Sequence, residues 1–171
     1  SAQFIRDKVV PELDAFRFAS YCGISGVTKK EETLADGAAT VAALSAAVTA
    51  MDDEEVTATG RYLFITPTLL QGINDMDTTK SKKVLEGFEQ VIKVPQRRFY
   101  TAIKQLSGKT GEEAGGYTKA AGAANINFAI VQKDALIQYT KHAAPKIIAP
   151  ENNPDADAYV FGYRMVGIAK A

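Results

Sequence analysis

The run Arg61-Tyr62-Leu63-Phe64-Ile65 shows no polar alternation and passes directly into Thr66-Pro67. β-Branched and aromatic residues in unbroken succession predict a strand covered on both faces, because a strand with one wet face alternates apolar and polar residues. Thr66-Pro67 then predicts a helix start. Threonine can accept an N–H bond as N-cap, and a proline at the first helical position gives up a donor that would have no partner there. Leu69, Leu70 and Ile73 supply the apolar side of that helix. The flanking runs Gln90–Val94 and Ile126–Val131 are the expected partners of the 61–65 strand.

The chain has 171 residues, enough for one domain with a sizeable core. Lys+Arg and Asp+Glu both number 20, so the formal charge is zero. A dedicated nucleic-acid binder concentrates basic residues, since phosphate neutralisation supplies most of its affinity, and no such excess is present. The single cysteine, Cys22, has no partner within the chain and gives no sign of an oxidising compartment. No apolar run approaches the roughly 20 residues of a membrane span, and the start has no signal-peptide pattern. The opening Ser1-Ala2, without an initiator methionine, leads to the expectation that this is a piece of a longer protein.

Toward the front, Phe4, Ile5, Val9, Leu13 and Phe16 recur at helical spacing and predict one apolar stripe. Pro11 forces either a kink or the start of a second helix with Glu12 and Asp14 near its positive end. Thr33-Leu34-Ala35-Asp36 has capping-box form, followed by a helix with Val41, Leu44, Val48 and Met51 on one seam, ending near Met51. Asp52–Glu55 reads as a solvated acidic turn. Asn74–Lys83 is polar and turn-like, and Val84–Glu89 and Gln90–Val94 are predicted as short strands around Gly87. Residues 107–125 are rich in glycine and poor in large apolar groups, which predicts a long loop or hairpin. Ile126, Phe128 and Ile130 alternate with Asn127 and Ala129 as a strand. Ala135–Tyr139 continues apolar, Lys146–Ala149 is another short strand, and Ala158–Ala169 alternates as a long closing strand.

Chemistry-bearing residues are sparse. Ser107-Gly108-Lys109-Thr110 resembles the end of a phosphate-binding loop, but the full pattern needs glycine where Ile103 stands. A glycine-rich surface loop, including Gly111, Gly115 and Gly116, is the better reading. His142, the only histidine, has no ligand-spaced partner, and Cys22 follows an apolar helix as a small buried residue would. Lys93, Arg97 and Arg98 form the one basic cluster, next to Phe99 and Tyr100. It is suited to phosphates or an acidic neighbour, with a solvated rim as the ordinary alternative. No catalytic, cofactor-binding or metal-ligating set emerges.

Several segments together resemble the major capsid proteins of tailed bacteriophages. They are Arg6–Phe18, the helix and strand leading through Gly60–Pro67, Leu85-Glu86-Gly87-Phe88 with Val91–Pro95, Ile126–Ala135, and Asp157–Ile168 with Tyr163-Arg164. The resemblance implies an α+β chain with the capsid fold named after phage Hong Kong ninety-seven. Residues 3–32 would then be the end of a spine helix in a peripheral subdomain. Residues 33–150 would form an axial subdomain, a central mixed sheet flanked by helices, and 151–171 a long strand returning to the peripheral part. On that resemblance the N-terminal arm and extended loop of the family would be missing from these residues. Implied too are a non-enzymatic role in the virion and assembly in the bacterial cytoplasm. The implied partners are copies of the chain itself, as hexamers and pentamers, with scaffolding protein and packaged DNA as weaker ones and no membrane. Gly108, Lys109, Thr110, Gly111, Gly115 and Gly116 become a candidate inter-subunit loop, and Lys93, Arg97 and Arg98 a candidate contact cluster. The rival readings are an encapsulating bacterial compartment with the same fold, a small nucleotide-binding α/β enzyme using Ser107–Thr110, and a stand-alone binding module.

Overall fold

The computed structural model describes residues 2–24, 27–113, 115–134 and 165–166. The expected elements at 135–139 and 146–149, His142, and all of the closing 158–169 strand except Met165 and Val166 lie outside these residues.

A helical turn, Ala2–Phe4, and a π-helical turn, Ile5–Val9, lead into α1 (Val10–Cys22). Then follow α2 (Gly37–Asp53), β1 (Arg61–Ile65), α3 (Pro67–Met76), α4 (Thr79–Glu86) and β2 (Gln90–Lys93). A 3-10 turn, Gln96–Arg98, precedes β3 (Ile103–Gln105) and β4 (Tyr117–Lys119), and β5 (Phe128–Gln132) and β6 (Met165–Val166) complete the described elements. The strands form a four-stranded sheet in the order β2-β1-β5-β6 and a separate β3-β4 hairpin. β1 runs parallel to β2, Leu63 opposite Val91, and antiparallel to β5, Leu63 opposite Ile130. β6 pairs antiparallel with β5. The parallel pair is bridged by α3 and α4, and the mixed sheet with separate helices makes the chain α+β.

Both faces of the sheet are covered. Leu63, Ile65, Phe128 and Ile130 pack against Val41, Leu44 and Met51 of α2 and Ile73 of α3. On the opposite face Phe64, Ala129 and Val131 meet Phe18, Tyr21 and Cys22 of α1, together with Phe99 and Ile126. Each fully buried Leu, Ile or Phe contributes roughly 1.5–3 kcal/mol. The alternation read at 126–130 therefore separates two apolar environments, not core from solvent, and β5 is buried at all five positions.

Four local readings need correction. Val84 and Leu85 belong to α4, not to a strand, because a capping box between Thr78 and Ser81 starts a helix inside the stretch read as turn-like. The cap of α2 is Asp36 itself, whose Oδ1 accepts the Ala39 N–H at 2.8 Å, so the Thr33–Asp36 box is one residue set too early. Thr66 occupies the N-cap of α3 and Pro67 its first position, but the threonine side chain makes no capping bond. On α1 the buried face is Pro11, Ala15, Phe18, Tyr21 and Cys22, whereas Leu13 is 50% exposed. The Ile5–Val9 stretch is π-helical, so a 3.6-residue period does not carry from it into α1, where the buried positions follow Pro11, Ala15, Phe18 and Cys22. Phe18 anchors the docked face, its ring 5.2 Å from Phe64 and 4.8 Å from Phe99 in edge-on geometry.

The acidic turn after α2 is partly structural. Asp52 lies in the helix, and its Oδ1 is 2.8 Å from the guanidinium of Arg61, which is only 3% exposed. Arg61 also donates to the carbonyls of Val56 and Thr57, tying the helix end to the start of β1.

α2 and α3 touch at a pair of glycines. A Cβ on Gly37 would stand 2.2 Å from the Gly72 carbonyl oxygen, while one on Gly72 would find its nearest neighbour at 3.4 Å. The backbone cannot yield as a side-chain end can. Gly37→Ala is expected to destabilise the protein by about 3 kcal/mol or more. Gly72→Ala, which gains helix propensity, should fall within about 1 kcal/mol of neutral. Urea unfolding midpoints of the two variants check the asymmetry.

Candidate functional site

The glycine-rich region forms a hairpin whose base is fixed to the core. Phe99 is fully buried, and its carbonyl accepts the Ile126 N–H at 2.9 Å and the Gln96 side chain at 2.9 Å. Thr101 N–H donates to the Ala124 carbonyl, and Thr101 Oγ1 accepts the Ala124 N–H. The chain leaves the core there. β3 and β4 pair antiparallel, Lys104 opposite Thr118, with Lys104, Gln105, Thr118 and Lys119 exposed.

The tip is organised by its own carboxylates. Glu112 accepts from the Ser107 N–H and Oγ at 2.8 Å each and from Lys104 Nζ at 2.7 Å. Those bonds, Lys104 foremost and then the Ser107 donors, pull its carboxyl down to about 2. Glu113 accepts the Gly111 N–H at 2.8 Å and is likewise held low by backbone donors. Gly108 and Gly111 sit at φ +72° and +87°, a conformation that lets the backbone fold around the carboxylates. A phosphate-binding loop presents unoccupied N–H groups where a strand enters a helix. Here Ser107-Gly108-Lys109-Thr110 joins two strands, and the Ser107 and Gly111 donors are already used.

The basic residues do not form one surface. Arg98 pairs with Asp14 of α1 at 3.3 Å, and its buried Nε has no hydrogen-bond partner among the described residues. Lys93 is exposed on β2, the outer strand of the sheet. Arg97 lines a cleft of about 660 Å³ with Gly115, Gly116, Tyr117, Thr118 and Lys119 on one side and Asp7, Lys8, Pro11 and Glu12 on the other. Within it the Tyr117 hydroxyl donates to the Arg97 carbonyl at 2.6 Å, and Lys119 Nζ lies 5.7 Å from the Tyr100 ring centre. Partial burial, together with the neighbouring Tyr100, raises the Tyr117 phenol. Of the candidate loop and contact-cluster residues, the structure thus places Arg97, Gly115 and Gly116 along one cleft. The helix-side charges, Glu112, Tyr117 and Lys119 were missed. Their signal was the pair of short stretches, 103–105 and 117–119, flanking the glycines.

Cys22 is buried, and desolvation pushes its thiol up to about 12, as suits a packing residue and not a nucleophile. Among the described residues no three His, Cys, Asp or Glu side chains group around a metal position, and no helix is long and apolar enough to cross a membrane.

Glu112 has a folded value below its ordinary 4.5, so its contribution to the tip is complete above that pH and is lost as the pH falls toward about 2. The Ser107 amide signal should therefore shift, and its protection factor against exchange fall, only in that acid window. Glu112→Gln should show the acid-state signal at neutral pH, with the sheet amides unchanged. Against this geometry, no family model matches the chain, and neither does any curated protein sequence or solved structure.

Proposed function

We propose that this chain is a structural subunit of a self-assembling shell, the major capsid protein of a tailed phage or prophage, acting in the virion through contacts with copies of itself. The capsid fold named after phage Hong Kong ninety-seven, with its peripheral and axial parts, belongs to the same proposal. Its support is the order of segments in the sequence that resembles that family, set on an α+β chain with a mixed sheet. The observation that carries most weight is the β3–β4 hairpin. It is fastened at its base, and its tip satisfies its own polar groups with Glu112 and Glu113. That is how a loop is built to present a surface. Shell proteins work by repeated complementary contacts closed by symmetry, with many weak contacts adding up, so a neutral chain with no concentrated charge is compatible with the role.

In this reading the tip, Gly108 to Gly116, lies at a subunit contact near the capsomer axis, and scaffolding protein and packaged DNA are secondary partners. The native gene product, expressed in bacteria and imaged by negative-stain electron microscopy, should give closed particles or ring-shaped capsomers. Replacing 107–116 by a two-residue turn should block or misdirect their closure. A gene product that stays monomeric at tens of micromolar would sink the shell reading, and unaltered shells from the shortened hairpin would sink the role given to its tip.

A further inference from the structure

We infer that the cleft between the N-terminal helical segment and β4 is a docking groove for one short extended polypeptide segment carrying an acidic residue, which adds as a third strand to the hairpin. The inference does not rest on the shell reading.

The ladder register carries it. Leu106 N–H donates to the Gly116 carbonyl and Ala120 N–H to the Ala102 carbonyl. In an antiparallel pair inward and outward residues alternate, so Thr118 faces β3. The backbone N–H and C=O of Tyr117 and Lys119 therefore point away from it. Neither residue's backbone groups find a partner among the described residues. Gly115, Gly116, Tyr117, Thr118 and Lys119 all line the cleft in succession, and no β3 residue does. Successive residues of a strand alternate between its two faces, so a cleft that meets all of Tyr117, Thr118 and Lys119, with Tyr100 and Arg97 at its end, follows the strand's edge and not one face of the hairpin. The cleft therefore offers two donors and two acceptors at strand spacing, the arrangement by which a sheet edge captures an extended chain.

The opposite wall is helical, Asp7 to Glu12, which leaves room for a single strand and not for a second sheet. About 660 Å³ holds roughly five residues of extended chain, and β4 spans only ~10 Å, far too little for a stable interface between whole domains. Charge sets the preference. Arg97 and Lys119 flank the tyrosine side of the strand, and no ion pair engages Arg97 among the described residues. An acidic side chain of the incoming strand meets them there. On the helical wall Asp7 and Glu12 outnumber Lys8, so a single acidic residue facing Arg97 and Lys119 is favoured over a uniformly acidic segment.

The test uses a fluorescein-labelled peptide of sequence Thr-Val-Glu-Val-Thr, with an amidated C-terminus, titrated with the protein and followed by anisotropy. Saturable binding with Kd on the order of 100 µM is expected for a short strand held mainly by its main chain. Lys119→Pro deletes one outward N–H without touching the ladder to β3, a position where an edge strand accepts proline. It should weaken binding about tenfold or more, beyond the loss in Lys119→Ala, while the Leu106 and Ala120 amides stay protected from exchange. Arg97→Ala should weaken the glutamate peptide several-fold and leave its glutamine counterpart unchanged. Should Lys119→Pro fail to fold, the same peptide N-methylated at alternate residues tests the main-chain pairing on the unaltered protein, and one of the two methylation registers should abolish binding. No saturable binding up to 5 mM, or binding indifferent both to Lys119→Pro and to N-methylation, overturns the inference. So does self-association of the protein that Lys119→Pro abolishes and the peptide cannot compete, since the occupant would then be a second copy's edge.

Discussion

The burial of β1 and β5 on both faces is the constraint on which everything else depends. Leu63 and Ile65 need α2, α3 and α4 above them, and Phe64 needs α1 below, so neither layer can leave without exposing the other's footing. A sheet covered from one side only would tolerate loss of α1. This one does not, because Ala129 and Val131 would face water together with Phe64. The two layers reach the sheet by different means. The upper helices come close enough for glycine to meet glycine, at Gly37 and Gly72, whereas α1 stands on aromatic edges around Phe18.

Two-sided coverage was legible because it leaves a mark in composition: after Arg61 the run Tyr62–Ile65 offers no charged or amide position to a wet face, and Tyr62 and Phe64 are half-buried on the second side. The flanking apolar runs at 90–94 and 126–131 were legible as the partners of β1, although β5 reads as an alternating strand and is buried at every position. What failed was local. The start of α4 depends on Thr78 and Ser81 exchanging bonds, and a polar run can equally well be a turn until that exchange is seen. The turn before α1 is π-helical at Ile5–Val9, and a period fixed at 3.6 does not carry across such a turn into α1. The cleft was out of reach altogether, since it joins residues near 10 to residues near 117 through a fold that had first to be known. Lys93, Arg97 and Arg98 looked like one cluster because they are close in sequence, and the turn at 96–98 aims them at different surroundings.

The hairpin shows how a segment too poor in apolar residues to make a core still holds a shape. Its order comes from charged hydrogen bonds: a carboxylate accepting a backbone N–H, a hydroxyl and an ammonium gains from each bond, roughly twice as strong as its neutral counterpart. Such order is local and exposed to screening. Solvent can soften the tip without disturbing the sheet, whose stability lies in the clusters on either side of it. The base is different, pinned to buried Phe99 through Gln96 and Ile126. A rigid base with a polar, self-contained tip separates the placement of the surface from the chemistry on it.

The outer edges of β2 and β4 are guarded unequally, which bears on how the chain meets others. β2 ends its exposed edge with Lys93, and its flanking position Gln90 is also exposed, a common way to keep a sheet edge from pairing indiscriminately. β4 carries Lys119 in the same position, yet there the lysine is drawn over the Tyr100 ring and bonded to Asn125, 2.9 Å away. A lysine held down by an aromatic face and an amide no longer sweeps the edge it would otherwise protect. The helical segment from Asp7 to Glu12 replaces that protection with a wall, and a wall excludes by size where a mobile charge excludes by desolvation. The edge of β2 therefore discourages every strand, while that of β4 admits a single chain of suitable charge.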